Sequence, residues 1–422
     1  MLNHDQQKTE QAFTQFLANP NQHELVICGH AGTGKTYLVR HLLNTFHNAL
    51  KAMSILTNQS IKLTPQLTAT THKAAKALKN STNLDVKTIH SFLGLSVYND
   101  YKTGKTKLTK SKNTTVHQNV LLFVDESSMI DSDLHRIIKE CTINCKIVYI
   151  LDHLQLLPIY ASNNCPVYEG VHNKALLSSI MRQAADNPII QLADMFRQSI
   201  QGQKGIIKPI PTNLPQITKL DGPSFKEAII SSFSDEEWHP DKSKILAYSN
   251  ERVNQYNNFV RLLHTDSEAP FIGESLVTNS PVFDSKGLMI YANEYEVTVT
   301  EVSETIKHGI PAYYLTLDGK HNVYMAKDPK QLSKLIKAVK SDGNFPLMFD
   351  IQNSFANLRS NYACTVHKSQ GSTYENVFID LSNISECRVL DTVMRLVYVA
   401  FTRTSSNVYY YGDLKPEQYK LT

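Results

Sequence analysis

Residues 25–36 read LVICGHAGTGKT, and the rest of the chain is built around them. Leu25 to Cys28 are consecutive apolar residues, the mark of a short buried strand. Gly29-x-x-x-x-Gly34-Lys35-Thr36 follows, and then Tyr37, Leu38, Leu42, Leu43 and Phe46 recur at helical spacing. Strand, glycine loop and helix in that order make a phosphate cradle. Gly29, Gly32, Thr33 and Gly34 let the backbone turn its N–H groups onto phosphate oxygens, and the helix N-terminus adds its positive end. Lys35 can reach the β- and γ-phosphates, and Thr36 can hold a magnesium ion. The expected ligands are therefore ATP and Mg2+.

The composition sets the frame. A chain of 422 residues, 41% hydrophobic and 19% charged, has room for two or three domains with cores. A net charge of +4 is compatible with a nucleic-acid partner without demonstrating one, because binding channels are basic locally. No apolar run approaches a membrane span, and the polar start Met1 to Lys8 is not a signal peptide. The six cysteines (28, 141, 145, 165, 364 and 387) are scattered, which reads as free thiols in a reducing cytosol. A cytoplasmic monomer is expected, in the host cytoplasm if the gene is a phage's.

Upstream of the cradle, Met1 to Ala18 reads as a helix carrying LNHDQQ. An amide there can read adenine, since it offers both a donor and an acceptor. Gln6 is the better candidate and Gln7 the alternative. Downstream, Met53 to Thr57 and Leu67 to Thr70 are strand-like. Thr71-His72 and Thr88-His90 each stand where a strand runs into a helix, a place for phosphate contacts but equally for ordinary helix caps. From Ser96 to Gln118, Lys102, Lys105, Lys107, Lys110 and Lys112 surround a Thr103-Gly104 turn beside Tyr98 and Tyr101. Lysines among aromatics suit a nucleic-acid strand on an exposed β-hairpin, and a solvated loop fits equally well.

Val120 to Val124 is a second buried strand, ended by Asp125-Glu126. After a phosphate cradle such a pair supplies the other half of the site, with Asp125 on magnesium and Glu126 activating the attacking water. Lys146 to Leu151 is a third, followed by Asp152 to Pro158, where Gln155 could sense a γ-phosphate. Ala175 to Arg197 reads as a helix with Arg182 at its centre, an arginine able to complete a phosphate site from another domain. The four prolines 209, 211, 215 and 223 mark a linker. Short β runs from 265 to 355 suggest a small inserted barrel, and Pro329 to Lys340 adds a helix with lysines on one side. YACTVHKSQG (362–371), a strand at Asn376 to Leu381, a helix from Arg395 to Thr404 carrying Arg403, and a last strand at Asn407 to Tyr411 return to the main fold.

Taken together, these motifs resemble the superfamily 1B (RecD-like) DNA helicases, the branch that includes the Dda-type phage helicases. GHAGTGKT (29–36) is similar to motif I, TTHKAA (70–75) to Ia, TIHSF (88–92) to Ib and DESSM (125–129) to II. DHLQLLP (152–158) is similar to motif III, the region of Arg182 to IV, TVHKSQGST (365–373) to V and YVAFTRT (398–404) to VI. Two positions depart from the pattern: Thr70 stands where relatives often have proline, and no glycine precedes Asp152.

The resemblance implies an α/β fold of two RecA-like P-loop NTPase domains, with an inserted hairpin (96–118) and an inserted small β-barrel. It divides the chain into 1–175, then 176–264 with 356–422, and the barrel at 265–355. It puts Lys35, Thr36, Asp125, Glu126 and Gln155 on one side of ATP, with Arg182 and Arg403 reaching from the other. It assigns single-stranded and forked DNA to Thr71, His72, Thr88, His90, Thr365, His367 and Lys368, with Tyr98 and Tyr101 on the hairpin. The implied activity is ATP-driven translocation, 5′-to-3′, with duplex unwinding; single-strand-binding or replication proteins are the partners to expect. A translocase that strips proteins from DNA, or an ATP-gated DNA-binding subunit of a recombination or nuclease complex, needs the same motifs.

Overall fold

A parallel strand covered on both faces must be largely apolar, and the three central strands of the first lobe, Glu24–Gly29, Val120–Asp125 and Lys146–Leu151, are. The computed structural model describes residues 2–57, 62–100, 105–110, 114–156, 165–179, 187–202, 210, 212–284 and 288–419. Its first lobe runs α1 (His4–Ala18), β1 (Glu24–Gly29), α2 (Lys35–Thr57), β2 (Thr64–Ala69), α3 (His72–Thr82), β3 (Val86–Thr88) and α4 (Ile89–Leu93). There follow β4 (Leu95–Asp100), β5 (Lys105–Lys110), β6 (His117–Gln118), β7 (Val120–Asp125), α5 (Ser132–Glu140), β8 (Thr142–Ile143), β9 (Lys146–Leu151), α6 (Pro166–Gly170) and β10 (Lys174–Leu177). Six strands form one parallel sheet in the order β10-β1-β9-β7-β2-β3. Alternate residues face opposite layers: Leu25, Ile27, Phe123 and Val148 pack with α1 and α2, whereas Val26, Cys28, Val124 and Tyr149 pack with α5.

The second lobe repeats this plan with α7 (Pro188–Gly202), β11 (Asn213–Leu214), β12 (Ile217–Leu220), α8 (Gly222–Phe233), β13 (Ser243–Ala247) and α9 (Asn250–His264). Between α9 and the return of the chain lies a separate unit: β14 (Ser275–Thr278), β15 (Val282–Phe283), β16 (Met289–Tyr291), β17 (Glu296–Lys307), β18 (Ile310–Leu317), β19 (His321–Ala326), α10 (Pro329–Ser341), α11 (Phe345–Ser354) and β20 (Leu358–Ser360). The lobe resumes with β21 (Ala363–Thr365), β22 (Tyr374–Asp380), α12 (Leu381–Ile384), α13 (Leu390–Phe401) and β23 (Thr404–Tyr411). Its sheet has the order β11-β12-β23-β22-β13-β21, parallel except for the β11·β12 pair. The insertion holds a five-stranded antiparallel sheet, β19-β18-β17-β14-β20, and a bridge between Tyr324 and Phe355 ties one edge to the segment leading into the other. β4 and β5 pair antiparallel beside the first sheet.

Three readings need correction. Met53–Thr57 is not a strand but the end of α2, because a short stretch with three apolar residues looks alike in both states. Helix does not begin at 175: Lys174–Leu177 is the edge strand β10 beside β1, so a boundary at 175 cuts through it, and helix α7 starts at Pro188. Strand β19 and helix α11 were not foreseen in the insertion. Among the described residues, no helix is long and apolar enough to cross a membrane, and all six cysteines are buried free thiols.

Candidate nucleotide site and nucleic-acid interface

The strand order decides what can meet. The C-terminal ends of β1, β9 and β7 lie side by side in mid-sheet and deliver the glycine loop, the Asp152–Gln155 turn and Asp125-Glu126 to one place. In the loop, Gly32 and Gly34 have φ of 81° and 77°, the region where glycine alone is unstrained. A Cβ on Gly29 would stand 2.7 Å from Thr33 Oγ1 and 2.9 Å from Leu177 Cβ, so β10 helps to shape the loop from behind. The Lys35 ammonium donates to the carbonyls of Gly29 (2.8 Å) and His30 (3.1 Å). Thr36 follows in the first turn of α2. Gln6 is fully buried, and its Nε2 donates to the Thr33 carbonyl at 3.2 Å. Gln7 donates instead to Leu2 at the surface, so Gln6 is the glutamine that faces the loop.

Asp125 and Glu126 differ in setting. Burial, then the neighbouring Glu126 charge, pushes the Asp125 carboxyl up to about 7. Glu126 has a φ of 52°, a left-handed conformation that costs a non-glycine residue energy. Its N–H donates to Asp125 Oδ1 (2.9 Å), and its carbonyl accepts from Thr70 Oγ1 (3.2 Å), which ties the acidic pair to the start of α3. A buried acid opposite Lys35 and Thr36 is a donor set that fits magnesium, because a cation favours the ionised form that burial disfavours.

The second lobe closes on this site through α13 and the turn after β21. Tyr398 is fully buried; its hydroxyl donates to Asp152 Oδ2 (2.6 Å) and accepts from the Ala31 N–H of the loop (3.3 Å). Burial alone would raise the Asp152 carboxyl. The His30 hydrogen bond, the Lys35 charge and the Tyr398 hydroxyl overcome it and hold the acid well below the usual range. Arg395 reaches across as well, donating through Nη1 to the carbonyls of His153 and Gln155, both at 2.9 Å, while Asp391 holds its Nε. Gln370 Nε2 donates to Gln155 Oε1 and the Leu156 carbonyl, both at 3.2 Å.

Arg403 finds its partners within its own lobe. It lies beyond the C-cap of α13, and its guanidinium donates to Val399, Ser372 and Thr402 of its own lobe. Arg395, not singled out in the sequence, lies three residues upstream of the recognised motif. Its signal was a lone cation on an otherwise apolar helix face, Val393 to Phe401. Arg182 and Tyr101 lie outside the described residues; Tyr98 lies on β4 opposite Lys107.

The other expected group gathers at the neighbouring strand ends. Thr71 Oγ1 accepts from Ala74 N and caps α3, Thr88 Oγ1 accepts from Ser91 N and caps α4, and Thr365 Oγ1 accepts from Lys368 N in the turn after β21. The ordinary capping role is thus real at each. The lobes touch here, since a Cβ on Gly371 would stand 2.9 Å from Ala74 Cβ. Burial lowers the pKa of His72, His90 and His367, which keeps these rings neutral hydrogen-bonding groups at pH 7.

Two RecA-like lobes with a glycine loop at their joint define the chain as a two-domain P-loop NTPase. The AAA-domain family matches residues 1–205, and the UvrD-like helicase C-terminal domain matches residues 361–411. The ATP-dependent DNA helicase dda of Enterobacteria phage T4 is 25% identical over 444 residues, covering 92% of this chain and 94% of that protein. An Acanthamoeba polyphaga mimivirus protein is 23% identical over 502 residues, covering 97% and 99%. In structure, a Pif1 helicase solved at forked duplex DNA superposes with a TM-score of 0.51 at 15% identity, covering 99% of this chain and 94% of that one. A Bacteroides Pif1 complex with ADP-AlF3 and single-stranded DNA gives 0.50 at 14% identity, covering 100% and 95%. In sequence the chain is thus similar to the Dda helicase, and in fold to the Pif1 helicases.

Proposed function

We propose that this chain is an ATP-dependent DNA helicase that moves along single-stranded DNA and separates a duplex ahead of it. The observation that carries the reading is the joint. Gln370, Arg395 and Tyr398 of one lobe bond directly to the loop and turn that surround Lys35 in the other. Any change at the phosphates is therefore felt as a change in lobe contact. Gly29, Gly32, Thr33, Gly34 and Lys35 hold the phosphates, and Gln6 meets the base. Magnesium, held by Thr36 and Asp125, supplies neutralisation of phosphate charge when bound. Glu126 accepts the proton of the attacking water, and Gln155 positions it. Arg395 takes the role of the arginine that stabilises the transition state from the other lobe, in place of Arg403.

Thr71, His72, Thr88, His90, Thr365, His367 and Lys368 form the track for the strand. Backbone N–H groups at capped turns and neutral rings read phosphate and sugar, not sequence, so binding is sequence-blind. We assign the lobes as 1–177, then 187–264 with 361–422, and read 265–360 as a small barrel and the 95–110 hairpin as the wedge at the fork. The direction, 5′-to-3′, rests on the family resemblance. Lys35→Ala is expected to reduce ATP turnover at least about 100-fold while single-strand binding persists. Normal turnover in that variant removes Lys35 from the site.

A further inference from the structure

The insertion presents an acid–aromatic–acid turn, Glu294-Tyr295-Glu296, to the residues assigned to the DNA track. The turn is rigidly held: Glu294 N donates to the Thr278 carbonyl (2.8 Å), Tyr295 N to Thr278 Oγ1 (2.8 Å), and Thr278 N to the Tyr295 carbonyl (3.0 Å). Glu294 itself has a φ of 57°, a strained conformation kept by these bonds. Each side chain then meets a different part of the track. Glu294 Oε1 lies 2.7 Å from Lys368 Nζ, and its Oε2 lies 2.8 Å from Arg359 Nη2. Glu296 lies 3.8 Å from both Lys73 and Lys76, the lysines that follow His72 on α3. Tyr295 remains 42% exposed, with its ring edge-on to His72 at 6.2 Å.

We propose that this turn is a built-in occupant of the single-strand track, its two carboxylates holding the cations a DNA phosphate would take, so that an incoming strand must displace them. The inference rests on the DNA-track assignment made above. Three features support competition over a simple brace. Lys368 comes from one lobe and Lys73 and Lys76 from the other, and all three lie at or beside the proposed track. The Lys73 and Lys76 pairs are long, so little holds them against a phosphate. And the exposed ring between the acids gives a displaced turn a surface on which a base can stack. The strand bound first thus meets an acid-loaded track, and affinity is set by exchange of one anion for another.

The test is fluorescence anisotropy of a labelled oligothymidylate with the full chain, over a range of salt. E294Q/E296Q is expected to bind roughly 5- to 20-fold more tightly, with a log Kd–log salt slope steeper by about one to two. E301Q/E304Q makes the same charge change further along β17, where both carboxylates are exposed, and is expected to bind within about twofold of wild type. Because E294Q also removes the partner of Arg359, E296Q alone is the second variant, expected to tighten binding about threefold. Binding by wild type with no tightening in E296Q or the double variant, or equal tightening in the control, overturns the proposal while leaving the track assignment standing. Failure of wild type and every variant to bind single-stranded DNA overturns both.

Discussion

At the scale of single residues, the site turns on which arginine crosses the joint. Arg395 is 12% exposed and holds two main-chain carbonyls of the opposite lobe, whereas Arg403 spends its guanidinium on its own lobe. Arg395→Gln is expected to lower the kcat of ATP hydrolysis by roughly 100-fold or more, with the KM for ATP little changed. Arg403→Gln is expected to lower the melting temperature and leave the kcat of the folded fraction near wild type. Steady-state kinetics beside a thermal melt separates the two, and the opposite pattern would reinstate Arg403. The places in the fold of the phosphate loop, Asp125-Glu126 and Gln155, though not their roles, were legible in the sequence, because a buried strand stands before each and a helix or turn after. Arg395 was not, because its role depends on where the end of α13 points, and no local pattern encodes the angle between two lobes.

At the scale of elements, buried strands and capped helices were legible from apolar runs and side-chain oxygens. Ser249 caps α9 and Thr71 caps α3 as their positions suggest. The failures fell where two states share a pattern, as in the final turn of α2, or where a strand is short and half-exposed, as in β10. One element contact was invisible in advance. Lys146, at the start of β9, is nearly buried and donates to the carbonyls of Phe16 (2.9 Å), Asn19 (2.5 Å) and Gln22 (2.5 Å) at the end of α1. It satisfies the Phe16 carbonyl, which the helix end leaves unpaired, and two carbonyls of the segment that follows. Lys146→Met strands them, and is expected to destabilise the first lobe by about 2 kcal/mol, read as a lower first transition in a thermal melt with the second lobe unmoved. The hairpin is rooted firmly, with His117 stacked on Phe92 at 3.9 Å and Thr114 bonded to the Gly94 carbonyl. Replacing residues 97–108 by a short glycine-serine turn is therefore expected to leave DNA-stimulated ATP hydrolysis intact and to abolish strand separation. Undiminished unwinding would remove the hairpin as the wedge.

At the scale of the whole molecule, both sheets present their C-terminal strand ends to a shared boundary, and the two proposed sites lie along it. The nucleotide residues lie at the ends of β1, β7 and β9, and the proposed track lies at the ends of β2, β3 and β21. Thr70, bonded to the carbonyls of Asp125 and Glu126, joins the two within one lobe. Tyr398, Arg395 and Gln370 join them between lobes. A motor needs such a geometry: closure at the phosphates must shift the grip on the strand. The central claim is that these contacts convert ATP hydrolysis into directed strand separation. The most direct test is strand displacement with ATP and magnesium on two duplexes, one with a 5′ single-stranded tail and one with a 3′ tail. Unwinding of the 5′-tailed duplex alone is the expected result. Failure on both, with ATP hydrolysis still stimulated by single-stranded DNA, would contradict the claim and leave a translocase that does not open duplexes.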